Sequence, residues 1–218
     1  MTNVPHRQPR LSFTPEEGAG RTLPANWRER TRRINDALHY WIRVPHSFDP
    51  GSLRSFLEPA QDSIALVGVS LSSVEREAGL LLARKATVER VSVTVIMMAH
   101  EVAPTSDLYR QLLRRLTRDA DVDVLLRKVQ ESTPFFMRLR ETARIDLRQC
   151  DELPIYGLSI RDHLTERAMM RVYFYTSVTT DRVHPILDIT PTSEGSQRVY
   201  WAFYEYFDSL KTRWPPRA

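Results

Sequence analysis

Several side chains in this sequence stand where binding or catalysis is commonly done. His100, in the run MMAHEVAP, follows an apolar stretch that reads as a strand, and open α/β sheets gather ligand-binding groups beyond the carboxyl ends of their parallel strands. It reads as a ligand-facing histidine or as a solvated loop residue. Ser70, Ser72 and Ser73 end the preceding strand and open a helix, a place where free backbone N–H groups can hold an anion. Capping of that helix by Ser72 is the plainer alternative. Arg127, after a third apolar run, would complete a polar rim with them. Tyr156, Arg171, Tyr173 and Tyr175 alternate on later strands. They either present an aromatic and cationic wall to a base, sugar or headgroup, or pack beneath a covering helix.

Other patterns fall short of a site. Gly68-Val69-Ser70-Leu71-Ser72 approaches the G-x-S-x-G nucleophile elbow but lacks its closing glycine. His163 and His184 have no histidine four residues on and no carboxylate-rich neighbourhood, so no metal site is expected. Cys150 is the single cysteine, which excludes an intrachain disulfide and a multi-cysteine cluster. Asp151 and Glu152 beside it disfavour a thiolate, so it reads as structural. Nothing in the sequence calls for a cofactor.

Charge is placed unevenly. The chain has 218 residues and a net charge of +4, with 28 of its 31 basic residues arginine. Residues 1–43 hold eight arginines against Glu16, Glu17, Glu29 and Asp36, so the whole net charge belongs to that segment and the remainder is neutral. Such an arm suits nucleic acid or an acidic protein, or serves solubility alone. No apolar run is long enough to cross a bilayer and no secretory signal core opens the chain, so a cytoplasmic protein is expected.

The elements that must position these residues can be read from periodicity. Residues 1–25, with Pro5, Pro9, Pro15 and Pro24, bury too little to order and read as a disordered tail. Residues 26–51 read as an arginine-rich amphipathic helix through Arg43, striped by Trp27, Ile34, Leu38 and Trp41, followed by a turn at Asp49-Pro50-Gly51. From residue 52 to 214 one α/β domain is expected. Its first half is parallel: strand Ile64–Val69, a helix opened by the capping box Ser72 to Glu75 and carrying Leu80, Leu81 and Leu82, strand Val91–Met98, a helix striped by Leu108, Leu112, Leu113 and Leu116, and strand Val122–Leu126. A short helix near Thr133–Arg140 and a strand around Ile145 and Leu147 follow. Ile155–Ile160, Met170–Thr176 and Pro185–Thr190, joined by turns too short for helical crossovers, form an antiparallel second half. Glu194–Trp214 places Tyr200, Phe203, Phe207, Leu210 and Trp214 on one helical stripe that covers the sheet.

That order, with the segments Ser63–Ser72, Arg148–Ser177 and the closing YWAFYEYFDSLKTRW, resembles a single phospholipase-D-like domain over about residues 52–214. It most resembles the small, catalytically degenerate version fused elsewhere to helix-turn-helix regulators. Active members carry His-x-Lys-x-x-x-x-Asp. If Asp162 takes the aspartate place, Ile155 stands at the nucleophile and Gly157 at the lysine, and neither can attack phosphorus or neutralise a phosphate. The resemblance implies a homodimer, because that superfamily pairs two such halves face to face. The reading is therefore a non-catalytic, regulatory binding or sensor domain for a phosphate-bearing small molecule, with Asp162 among its ligand-binding candidates. Two rivals are a phosphodiesterase or nuclease with an atypical dimeric site and a nucleic-acid-binding accessory using residues 26–43.

Overall fold

The computed structural model describes residues 52–102, 106–110, 119–143, 145–174 and 186–216. The expected tail and arginine helix, and Leu112, Leu113, Leu116, Tyr175 and His184, lie outside the described residues. In chain order the elements are α1 (Leu53–Leu57), β1 (Ser63–Gly68), α2 (Ser72–Thr87), β2 (Ser92–Met98), α3 (Asp119–Ala143), β3 (Asp146–Cys150), β4 (Tyr156–Arg161), β5 (Met169–Phe174), β6 (Ile186–Ile189) and α4 (Glu194–Arg213). The strands form one six-stranded mixed sheet in the order β3-β2-β1-β4-β5-β6. β1, β2 and β3 are parallel, and β4, β5 and β6 continue antiparallel from β1.

The expected α/β class, with a βαβαβ first half, an antiparallel second half and a C-terminal covering helix, is what the chain forms. One strand is misplaced. Val122–Leu126 lies inside α3, and the third parallel strand is Asp146–Cys150. The alternation VDVLL has the period of a strand, yet Val122, Val129 and Phe136 recur every seventh residue and are all fully buried, so a longer helical stripe decides the segment. The short helix expected near Thr133–Arg140 is the later part of α3, with Pro134 inside it. There Pro134 withholds one N–H from the ladder, and the hydroxyl of Thr133 bonds the carbonyl of Val129 at 2.7 Å in the same turn.

Two packed layers sandwich the sheet. α1, α2 and α3 bury Ile64, Leu66, Val93, Val95, Met97 and Leu147 on one face. α4 lays Val199, Tyr200, Phe203, Phe207 and Leu210 over Ala65, Val67, Leu158, Ile160, Met170 and Val172 on the other. Ser193 caps α4 by accepting the Ser196 N–H, and the Arg148 guanidinium donates to the carbonyls of Lys211 and Trp214 at its far end. Leu80, expected in the core, is 92% exposed; Leu81 and Leu82 supply the buried stripe of α2 instead.

Candidate functional site

Of the expected site residues, Ser70, Ser72 and His100 stand at the carboxyl ends of the parallel strands. β1 leaves the sheet through Ser70, and Leu71 turns the chain with φ 52°, in the left-handed region. That turn places Ser72 inside the first helical turn, so the cap residue of α2 is Leu71 rather than Ser72, and no side chain caps the helix. The Ser70 and Ser72 hydroxyls lie 3.2 Å apart. Ser132 reaches from α3 to donate to the Ser70 carbonyl, fixing the turn from above. One strand over, His100 Nδ1 lies 3.0 Å from the Gln149 side-chain amide at the end of β3. Nε2 stands 3.6 Å from the exposed Glu101 carboxylate. The edge thus offers hydroxyls, an imidazole and the first amides of α2, with the Glu101 carboxylate beside them. Gln149 and Ser132 are absent from the expected site because nothing local marks them; only strand and helix register brings them there.

Arg127 follows no strand: it lies within α3, with its side chain exposed.

Asp162 lies at the other end of the sheet. β4 runs antiparallel to β1, so its last residues meet Ser63 and Ile64 while its first meet the far end of β1. The six residues of β4 lie between Ile155 and Asp162, seven steps of about 3.3 Å or roughly 23 Å, and the two cannot share a site. The Asp162 carboxylate is fully buried, and its Oδ1 accepts the backbone N–H groups of Gln61, Asp62 and Ser63 at 3.0, 2.7 and 3.2 Å. Its φ of 50° is one that Asp tolerates better than most side chains. Its task is to tie the β4–β5 turn to the entry of β1.

Beside it the fold makes a pair invisible in the sequence: Ser63 Oγ is 2.7 Å from His163 Nδ1, across 100 residues. The pair has the contact of a nucleophile and base but not the surroundings. Ser63 is buried, and the three neighbouring N–H groups that could hold an oxyanion are already bonded to Asp162. His163 stacks on Tyr204, with centroids 5.6 Å apart, and its backbone carbonyl accepts the Tyr200 hydroxyl. Burial, helped by the positive charge of Lys211 and opposed by Asp162, holds its pKa below the ordinary value.

The expected aromatic and cationic wall is divided between the two faces. Tyr156 points to α4 and meets Phe174, Phe203 and Tyr206 edge-on, so it belongs to the core. Arg171 and Tyr173 point the other way. Arg171 forms a two-pronged pair with Asp188 on β6, both contacts 2.7 Å. The tyrosine hydroxyl bonds Ser159 and Arg171, while burial pushes its pKa up. Burial would lower the Arg171 pKa, but the Asp188 carboxylate outweighs it and the guanidinium is held more firmly charged.

Cys150 is buried at the end of β3, its thiol donating to the Met97 carbonyl, and burial pushes its pKa up to about 12. It is inert at neutral pH. Among the described residues no three His, Cys, Asp or Glu side chains come together as a metal site, and no helix is long and apolar enough to cross a membrane. The chain matches no protein-family model, no curated protein and no solved structure.

Proposed function

We propose that this chain is a non-catalytic binding domain, regulatory in role, whose ligand is a small phosphate-bearing molecule held at the carboxyl edge of β1, β2 and β3. One observation carries the reading: Ser70 and Ser72 on the first strand's exit and the His100–Gln149 pair on the next two lie along one edge. These are the carboxyl ends of the three parallel strands, the side on which open α/β sheets take ligands. Phosphate oxygens accept from hydroxyl, imidazole and backbone amide donors alike.

A degenerate phospholipase-D-like origin belongs to the same reading. Ile155 and Gly157, at the positions the resemblance gives to the nucleophile and lysine, bring an apolar side chain and no side chain to the start of β4. In this reading the protein works in the cytosol and pairs with a second copy of itself.

Thermal unfolding of the full chain with inorganic phosphate, nucleoside monophosphates and sugar phosphates tests the proposal. At least one probe raises Tm, and His100→Ala or Ser70→Ala removes the rise while Trp201→Ala keeps it. A rise that survives both edge substitutions, or no rise with any probe, overturns it. Hydrolysis of a phosphodiester by the pure protein would replace it with the diesterase reading.

A further inference from the structure

In the antiparallel half, Leu158, Ile160, Met170, Val172 and Ile189 face α4, so alternation turns Ser159, Arg161, Arg171, Tyr173 and Asp188 to the opposite face. That face is polar, yet none of the five is exposed, and Ser159 and Arg171 are only 2% and 3% accessible. α2 and α3 belong to the cluster over the parallel strands. Among the described residues, the ring set against both guanidinium groups is Phe56 of α1, with centroid distances of 4.7 Å to Arg171 and 5.7 Å to Arg161. The Nε of Arg161 is buried with no hydrogen-bond partner among the described residues. Three strands span about 10 Å from first to last, more than one phenyl ring covers.

We propose that residues 26–43 of this chain dock across this face of β4, β5 and β6 as its missing layer. Position favours that occupant. The described chain begins at Ser52, and its first element, α1, already lies on this face. The eight residues 44–51 extend to at most about 28 Å, ample to bring Arg43 over neighbouring strands. Composition favours it as well. Trp27, Ile34, Leu38 and Trp41 fall on one side at about 100° per residue, and indole rings are the best aromatic partners for buried guanidinium groups such as those of Arg161 and Arg171. Arg32 and Arg43 fall on the opposite side. Glu29 and Asp36 fall on that side too, so the outward side carries both signs of charge.

Amide hydrogen exchange on the full chain, followed by mass spectrometry at two protein concentrations, tests this. Residues 26–43 are protected in the wild type, and Ile34→Asp with Leu38→Asp speeds exchange in β5 and β6 at least tenfold while β1 and β2 hold. Arg32→Glu changes neither. Should the double variant unfold entirely, Leu38→Ala gives the same comparison at smaller amplitude. Residues 26–43 exchanging as free chain, or β5 and β6 indifferent to the stripe, overturns the proposal. Protection that fades on dilution overturns it in favour of a second copy's arm.

Discussion

Asp162 Oδ1 accepts the backbone N–H of Ser63 at 3.2 Å and so closes the turn after β4 onto the entry of β1. With the Gln61 and Asp62 N–H groups on the same oxygen, Asp162→Ala leaves three donors without their acceptor. Ser63 is buried whereas Gln61 and Asp62 are exposed, so the loss expected in urea unfolding is that of one buried unsatisfied donor, about 1–3 kcal/mol. Asp162→Asn keeps an acceptor oxygen and tolerance of positive φ, and costs less. Neither substitution alters binding at the carboxyl edge.

His163 makes stability depend on pH. Burial, with Lys211, lowers its pKa in the folded state below the ordinary 6.5, so the unfolded chain binds more protons than the folded one in the window between the two values. The contribution is complete above pH 6.5 and is lost as pH falls through the lowered folded value. His163→Asn retains a carbonyl acceptor for the Ser63 hydroxyl and cannot titrate. Unfolding free energies of the two proteins at about pH 8 and about pH 5 therefore diverge, with the wild type showing the larger loss on acidification.

α4 is the layer that completes the second core. Phe203 is fully buried against β4 and β5, and truncation of a buried Phe costs about 3–5 kcal/mol. Phe203→Ala should lower Tm sharply. Trp201, on the same helix but 47% exposed, should tolerate Ala within about 0.5 kcal/mol.

The mixed sheet, parallel and then antiparallel, and the covering helix are legible because period and element length agree: β1 and β2 are largely apolar runs, and α4 carries its aromatics at helical spacing. The start of α3 is ambiguous in the sequence because two periods overlap there: Val122 and Val124 satisfy a strand, while Val122, Val129 and Phe136 satisfy a helix. The edge residues Ser70, Ser72 and His100 could be found from strand ends alone. Gln149 and Ser132 could not, nor could the pairing of Ser63 with His163, because hydrogen bonds spanning 49 to 100 residues leave no local trace. Asp162 shows the converse, a motif position whose spacing suggested a ligand group and whose burial makes it a structural tie.

The most direct test of binding at the carboxyl edge is a titration of the isotope-labelled full chain with inorganic phosphate, followed by amide and side-chain NMR shifts. The account predicts saturable shifts confined to Ser70–Val74, His100 and the Gln149 side-chain amide, abolished by His100→Ala. Shifts centred on Gln61–Ser63 and His163, at the opposite end of the sheet, or a spectrum that phosphate leaves unchanged, would contradict it.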